Sequence, residues 1–189
     1  EISLKGNHNL ENALFIIGTG KILNIPNEVI AQFLKTTKAL EHRLENFFLK
    51  KNTLFVNDSK GTNVESTIKA IEAFKNKIIL IAGGENKKIC NDELIKKINE
   101  RVGFVYLIGE TGAILAEEME KIGYKKYKNL GTLEKVLVDI KENLDFEDSQ
   151  TILFSPATAS FDQFKNFEER GKIFKELTNK ILRENQIER

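Results

Sequence analysis

A carboxylate, a hydroxyl and an ammonium group stand side by side at Asp58, Ser59 and Lys60. They follow a short apolar strand pattern and precede a helical pattern. The spacing of Thr62 and Glu65 is that of a capping box, which predicts Thr62 as the helix N-cap. A helix N-terminus favours negative charge, and a neighbouring cation strengthens that preference. These residue types in this order predict a site for an anionic ligand; the alternative is a capped turn without a ligand.

Two glycines and a lysine follow the next apolar strand pattern. Gly83 and Gly84 would let a ligand approach the backbone closely, and Lys87 would present a point charge to a carboxylate or a phosphate. The spacing leaves open the alternative of an ordinary turn with a solvated lysine.

Hydroxyl groups and aromatic rings are concentrated between the last strand pattern and the last helix pattern. Ser155, Thr158 and Ser160 supply hydroxyls, and Asp162 is predicted to cap the helix. Phe167 stands near the ligand end of that helix, where its ring can pack either in the core or beside a ligand.

One apparent phosphate loop fails on inspection. The segment at residues 18–21 reads Gly-Thr-Gly-Lys, but Phe15 stands where a Walker A motif requires glycine, and Ile22 stands where it requires serine or threonine. The segment also lies within a helical pattern. We therefore expect helix surface here, and no triphosphate cradle.

Metal-ligating side chains are sparse. His8 and His42 are the two histidines, and they are far apart and poorly supported by cysteines or carboxylates. A single cysteine, Cys90, excludes an internal disulfide framework and a cysteine-rich metal centre. We predict no metal site among these residues.

Composition narrows the class of protein. The chain has 189 residues, 41% of which are hydrophobic, and its net charge is +1. This composition and this low net charge exclude a disordered or fibrous chain. Basic residues do not cluster, so we expect no nucleic-acid partner. Apolar runs are far shorter than the ~20 residues that span a bilayer, so we expect no membrane association and a cytoplasmic location. The chain begins at Glu1 without methionine, and we expect it to be a piece of a longer protein.

Strand and helix patterns alternate over most of the chain. Two helix patterns, over residues 8–23 and from Asn27, precede a predicted domain boundary near residues 38–40. A hairpin and a βαβ succession follow, which predict an α/β fold with a mostly parallel sheet and helices on both faces. Strands are predicted over residues 44–49, 53–56, 78–82, 104–108, 125–128 and 151–154, and later helices over residues 92–101, 111–122, 132–143 and 164–182. Because ligands of such sheets bind at the carboxyl ends of the strands, the loops described above lie where a site is expected.

Five segments together resemble the Mur ligases, ATP-dependent enzymes of peptidoglycan synthesis. The last segment is typical of the member that adds D-glutamate, whereas the His-Asn-x-x-Asn element is shared with folylpolyglutamate synthetases. The segments are residues 5–13 (KGNHNLENA), 42–45 (HRLE), 57–63 (NDSKGTN), 82–84 (AGG) and 153–171 (LFSPATASFDQFKNFEERG).

The resemblance implies a domain organisation and a reaction. Residues 1–38 would be the end of the central ATP-binding domain, and residues 39–189 the Rossmann-like C-terminal domain that binds D-glutamate. In the family, ATP phosphorylates the carboxylate of UDP-N-acetylmuramoyl-L-alanine, and the amine of D-glutamate attacks the acyl phosphate. The implied cofactors are ATP and magnesium, the magnesium ligands lying mostly before Glu1. We expect a monomer, and expect these 189 residues alone to be inactive.

The resemblance also assigns amino-acid contacts. Thr62 and Lys87 would hold one carboxylate of D-glutamate, and Ser160 with the backbone of Phe167 would hold the other.

Nucleotide contacts are implied in the same way. Asn12, Arg43 and Asp58 would contact ATP or ADP, with Asp58 accepting from ribose hydroxyls and Arg43 meeting phosphate. Lys60 would support the reacting phosphate electrostatically.

Two other functions remain open from the sequence. One is a folylpolyglutamate synthetase-like ligase. The other is a non-catalytic module that binds a small anion.

Overall fold

The computed structural model describes residues 7–37, 40–86 and 91–183, and the side chains of residues 7–9 and 11 are outside this description. The chain forms two compact units, Glu1–Leu40 and Glu41–Arg189. The assignment of residues 1–38 and 39–189 to two Mur ligase domains stays a prediction.

The described residues of the first unit form two helices, α1 (Asn7–Ile22) and α2 (Asn27–Thr36). They meet where Gly20 faces Ile30, because a Cβ added at Gly20 would lie 2.6 Å from the Ile30 side chain. The Gly-Thr-Gly-Lys segment lies inside α1. The prediction of helix rather than phosphate loop is therefore confirmed.

The second unit is built on one six-stranded sheet. Its strands are β1 (Glu45–Lys50), β2 (Thr53–Asn57), β3 (Lys77–Gly83), β4 (Val102–Ile108), β5 (Tyr127–Gly131) and β6 (Gln150–Phe154). Their order across the sheet is β1-β2-β6-β3-β4-β5. Only the β1–β2 hairpin is antiparallel, and the other four pairs are parallel. The predicted α/β fold is confirmed.

Helices cover both faces of this sheet, as predicted. The described helices are α3 (Val64–Glu72), α4 (Asp92–Arg101), α5 (Thr111–Lys121), α6 (Leu133–Asn143) and α7 (Phe167–Leu182). Residues of α3, α4 and α5 share one apolar cluster with Leu80 of β3, whereas residues of α6 and α7 share the other with Ile79 and Ile81. Because side chains alternate along a strand, β3 is apolar on both faces.

The cap of α3 differs from the sequence prediction. Asn63, not Thr62, is the N-cap: its backbone is extended, and its side-chain oxygen accepts a 2.8 Å hydrogen bond from the amide of Ser66. Glu65 does not complete a capping box, since its carboxylate forms a 2.8 Å ion pair with Lys69 one turn along the helix. The capping-box prediction was wrong by one residue, and Thr62 lies before the cap.

The last helix also begins later than predicted. It starts at Phe167, and the side chain of Asn166 caps it by accepting a 2.7 Å hydrogen bond from the amide of Glu169. Asp162, the predicted cap, accepts instead from the amide of Glu110 at 3.3 Å. Residues 164–166 form an irregular connection before the helix.

Strand β5 ends three residues later than predicted, at Gly131. Among the described helices, none has both the length and the apolar character that crossing a bilayer requires.

Candidate functional site

The loops after β2, β3, β4 and β6 meet at the carboxyl edge of the sheet and are joined by backbone hydrogen bonds. The amide of Ala157 donates to the carbonyl of Gly61 at 3.0 Å, and the amide of Gly83 donates to the carbonyl of Pro156 at 2.8 Å. The amide of Thr111 donates to Gly84 at 2.9 Å. Side chains on these four loops therefore lie on one rim.

Gly84 is needed for contact between two of these loops. Its φ is +154°, and a Cβ there would lie 2.4 Å from the carbonyl oxygen of Ala159 and 2.6 Å from the hydroxyl of Thr158. The sequence left open whether a ligand approaches these glycines or the segment is an ordinary turn. In the structure, the loop after β6 occupies the space beside Gly84.

Asp58 is a buried carboxylate just beyond the end of β2. Its Oδ2 accepts a 2.6 Å hydrogen bond from the Ser155 hydroxyl, and its Oδ1 accepts from the amide of Leu44 at 3.1 Å. Burial raises the pKa of Asp58 to about 6, although these donors and the charge of Arg43 act in the opposite direction. A carboxylate with two oxygens fixed in this way is a rigid acceptor.

A buried pair, His42 and Asn57, supports the segment that carries Lys60. The Asn57 side-chain oxygen accepts from the amide of Ser59 at 3.2 Å, so its nitrogen faces His42 Nδ1 at 2.9 Å. Because this amide nitrogen can only donate, the contact is a hydrogen bond in the tautomer that leaves Nδ1 free to accept. The carbonyl of His42 accepts from the amide of Lys60 at 2.9 Å, which joins the segment before β1 to the loop after β2.

Gly171 lets α7 lie against this pair. A Cβ at Gly171 would lie 2.4 Å from Nδ1 of His42, and the carbonyl of Gly171 accepts from the Asn57 side chain at 3.1 Å. A positioning role for Asn57 or Gly171 was not predicted from the sequence.

Lys60 extends from this support towards the start of α7. It is exposed, and its Nζ lies 5.9 Å from the centre of the half-buried Phe167 ring. A cation over an aromatic face is attracted to it, which restrains an otherwise mobile side chain. Lys60 and the N-terminus of α7 are therefore neighbours.

Arg170 is fully buried, and a role for it in the site was not predicted from the sequence. Its guanidinium donates to Ser59 and to the carbonyls of Thr158 and Ala159. Burial lowers the pKa of Arg170 to about 10. The signal in the sequence was a charged residue on the apolar stripe of a helix, four residues before Phe174, because arginine is rarely buried without a specific set of partners.

The described residues do not provide a magnesium site. Within residues 7–37, 40–86 and 91–183, no three His, Cys, Asp or Glu side chains are grouped so that they could hold a metal ion. Magnesium prefers oxygen ligands in octahedral geometry, and the lone buried carboxylate of Asp58 already binds two protein donors.

Comparison with known protein families shows to which family the chain belongs. The sequence profile of the Mur ligase glutamate ligase domain matches residues 42–158, which lie within the second unit. The chain belongs to the Mur ligase family. Relatives named UDP-N-acetylmuramoylalanine–D-glutamate ligase include one from Fusobacterium nucleatum, 45% identical over 184 residues, and one from Caldicellulosiruptor bescii, 41% identical over 185 residues. Each alignment covers 96% of this chain, but only 42% and 39% of the respective relative.

Solved Mur ligases share the fold of this chain at low sequence identity. UDP-N-acetylmuramate-alanine ligase from Thermotoga maritima superposes with a TM-score of 0.65 at 14% identity, covering 93% of this chain and 38% of that one. MurF from Acinetobacter baumannii superposes with a TM-score of 0.64 at 17% identity, covering 93% and 39%. Folylpolyglutamate synthase from Thermotoga maritima gives 0.58 at 16% identity, covering 83% and 38%. These likenesses concern the fold.

The positions that the Mur ligase resemblance assigns to D-glutamate fall on neighbouring loops. Thr62 is half-buried before α3, Ser160 is buried in the loop after β6, and Phe167 is the first residue of α7. The hydroxyl of Ser59 donates to the carbonyl of Phe167 at 2.8 Å, which holds the loop of Thr62 against this helix. Lys87 lies outside the described residues.

The positions assigned to the nucleotide are divided between the two units of this Mur ligase chain. Asn12 is exposed on α1 of the first unit. Arg43 is exposed and Asp58 is buried in the second unit, where the charge of Arg43 acts on the Asp58 carboxylate.

Proposed function

We propose that this chain is the D-glutamate-binding part of an ATP-dependent Mur ligase that adds D-glutamate to UDP-N-acetylmuramoyl-L-alanine in peptidoglycan synthesis. Membership of the family supports the reaction class, and the names of the relatives support the choice of substrates. The chain spans 42% or less of these relatives, so the complete reaction would need the rest of the protein.

The observation that carries this proposal is the convergence of the loops after β2 and β6. The first loop carries Lys60 and Thr62, the second carries Ser160, and they are joined by the 3.0 Å hydrogen bond from Ala157 to Gly61. Hydroxyls, a cation and a helix N-terminus on one rim suit a small molecule with several negative charges.

D-glutamate fits this description because it is a small molecule with two carboxylates, which a short aliphatic chain separates. The hydroxyl of Thr62 and the ammonium of Lys87 would hold one carboxylate. The hydroxyl of Ser160 and the amide of Phe167 would hold the other, since the first amides of a helix have no partner within the helix. The positive end of the α7 dipole adds to the preference for an anion.

The nucleotide would lie beside Asp58 and Arg43. Asp58 would accept from ribose hydroxyls and Arg43 would pair with phosphate, and the resemblance assigns a nucleotide contact to Asn12 as well. Transfer of the terminal phosphoryl group of ATP to the substrate carboxylate gives ADP and an acyl phosphate. The magnesium implied by the resemblance would supply neutralisation of phosphate charge when bound, and the described residues show no group of three metal-ligating side chains that would hold it.

Lys60 would stabilise negative charge as the acyl phosphate forms and reacts. The amine of D-glutamate attacks the acyl carbon, its proton is lost, and inorganic phosphate leaves from the tetrahedral intermediate. No protein nucleophile is needed, because positioning and electrostatic stabilisation supply the catalysis. We further propose that the enzyme is cytoplasmic, since ATP is one of its substrates. We also propose that it is a monomer.

Phosphate release by the full-length protein tests this function. We expect release only when UDP-N-acetylmuramoyl-L-alanine, D-glutamate, ATP and magnesium are all present, with an amide product carrying one glutamate. Omission of each component in turn is the control. Turnover with L-glutamate and a folate instead would identify a folylpolyglutamate synthetase-like ligase. Binding of small anions without any phosphate release would identify a non-catalytic module.

A further inference from the structure

One buried guanidinium joins the two loops that the proposed function assigns to the amino acid. Arg170 Nη2 donates to the carbonyl of Ser59 at 2.8 Å, and Nε donates to the Ser59 hydroxyl at 3.0 Å. Nη1 donates to the carbonyls of Thr158 and Ala159, at 3.1 Å each. The acceptors are 111 residues away on one side, and 12 and 11 residues away on the other.

On each side of the guanidinium, one acceptor residue lies next to a predicted ligand residue. Ser59 directly precedes Lys60, and Ala159 directly precedes Ser160. The Ser59 hydroxyl also donates to the carbonyl of Phe167 at 2.8 Å, so the same side chain connects the loop after β2 to the first turn of α7. Arg170 and Ser59 thus fix the spacing between three segments that would surround the amino acid.

Within the described residues the guanidinium of Arg170 forms no ion pair with a carboxylate within 4.0 Å, and its hydrogen-bond acceptors are neutral. The negative charge of Asp162 acts on it from farther away and offsets only part of the effect of burial on the pKa of Arg170. Taking a charge out of water is costly, and packed apolar residues would often be as stabilising as a buried ion. The geometric role of the planar guanidinium explains its presence better than stability does.

We propose that Arg170 is a positioning residue that holds the loop after β2 and the loop after β6 at the separation required for binding the amino-acid substrate. The proposal rests on the proposed function for the identity of that substrate. The nucleotide contacts depend on it less, because Asp58 is held by Ser155 and Leu44, and the amide of Lys60 is held by His42.

Lysine cannot replace arginine in this role. An ammonium carries its three donors on one atom, whereas the guanidinium spreads its donors over a rigid fork that reaches acceptors on opposite sides. The substitution Arg170→Lys would keep the charge while losing the simultaneous contact with both loops. Charge and positioning can therefore be separated by one conservative substitution.

Steady-state kinetics of full-length Arg170→Lys and Arg170→Met test the proposal. We expect both to raise the KM for D-glutamate about tenfold or more, because small misplacement of binding groups is costly, while the KM for ATP changes less than about threefold. Thr178→Val is the matched control: Thr178 is buried on α7 and its hydroxyl donates to the carbonyl of Phe174, away from the loops. It should leave both constants near the wild-type values.

Ser59→Ala keeps the test decisive if the Arg170 variants fold poorly. It removes the hydroxyl that bridges Arg170 and Phe167 but leaves the Ser59 carbonyl in place, so we expect a smaller rise in the KM for D-glutamate in the same direction. Equal effects on the KM for ATP and for D-glutamate, or full rescue by Arg170→Lys, would overturn the positioning role.

Amide hydrogen exchange separates this inference from the proposed function. In Arg170→Lys, the amides of residues 59–62 and 157–160 should exchange faster together, with those of α4 and α5 unchanged. If this coupled change occurs in a protein that shows no D-glutamate turnover, the proposed substrate is wrong and the loop-positioning role stands. Unchanged exchange in both loops would contradict the role whatever the substrate.

Discussion

The hydroxyl of Ser155 lies 2.6 Å from Oδ2 of Asp58 and donates to it, which joins the residue after β6 to the residue after β2. The two positions are 97 residues apart in the chain. Ser155 is also 2.9 Å from the hydroxyl of Thr67 on α3. The buried carboxylate is thus held by the Ser155 side chain, which Thr67 contacts in turn.

Asp58 should titrate near neutral pH. Its pKa is raised from 3.8 to about 6, so between these values the folded protein binds more protons than the unfolded protein. Its contribution to stability is therefore largest below about pH 4 and is lost as the pH rises to about 6, a change of roughly 3 kcal/mol. The Asp58 carboxyl resonance, followed by NMR from pH 3 to 8, should show a midpoint near 6; a midpoint at 4 or below would contradict this.

Nucleotide binding should follow the same titration. If the charged carboxylate accepts from ribose hydroxyls, the affinity for ATP should fall as the pH decreases through about 6, where Asp58 becomes protonated. Calorimetry of the full-length protein at pH 5.5 and 7.5 measures this. Asp58→Asn, which cannot titrate, should bind weakly at both values.

Asn63, rather than Thr62, should contribute to the stability of α3. Asn63→Ala removes the N-cap and should lower the free energy of unfolding by about 1 kcal/mol. Thr62 lies before the cap, so Thr62→Val should change the free energy of unfolding by less than about 0.5 kcal/mol. Urea denaturation followed by circular dichroism compares the two variants; a larger loss in Thr62→Val would restore the capping-box prediction.

Thr62→Val should nevertheless impair the proposed function. Because it replaces a hydroxyl by a methyl group of similar size, we expect the KM for D-glutamate to rise about tenfold, the cost of one lost hydrogen bond to a charged group. Lys87→Ala should act in the same direction, with a far smaller effect on the KM for ATP. Ser66→Ala, on the first turn of α3, is the control and should behave like the wild type.

Gly84→Ala should destabilise the rim more than a substitution at another glycine with positive φ. Its Cβ would lie 2.4 Å from the carbonyl of Ala159, whereas nothing lies within 4 Å of a Cβ at Gly123. Gly123→Ala, with φ of +76°, should cost only the strain of its backbone, about 1 kcal/mol. Gly84→Ala should cost about 3 kcal/mol or more, since backbone must also move. If Gly84→Ala and Gly123→Ala lower the free energy of unfolding equally, the loops after β3 and β6 can move apart at little cost.

Lys60 should act on the rate rather than on amino-acid binding. Lys60→Met keeps most of the side-chain length but removes the charge and, with it, the cation–π attraction to Phe167. We expect kcat to fall about a hundredfold, as for other electrostatic groups at a reacting centre, with the KM for D-glutamate little changed. Single-turnover measurements of product formation at saturating D-glutamate separate the two effects. A rise in KM without a fall in kcat would assign Lys60 to binding.

Local sequence determined the elements of this protein well. The alternation of apolar segments with helical periodicities was enough to predict the parallel sheet and the helices on both of its faces. A strand such as β3 is buried on both faces and has no polar residue after Lys77. The motifs around Asp58, Gly84 and Ser160 also indicated in advance which loops would meet at the carboxyl edge of the sheet.

Tertiary structure decided what the motifs do there. The insertion of β6 between β2 and β3 brings Ser155 to Asp58 and Arg170 to Ser59, and no local pattern specifies such a pairing across about a hundred residues. The raised pKa of Asp58 and the buried guanidinium of Arg170 likewise arise only when the loops are assembled, because desolvation depends on what the rest of the chain places around a group. The sequence by itself determined which chemical groups are available, and the packed fold determined which of them touch.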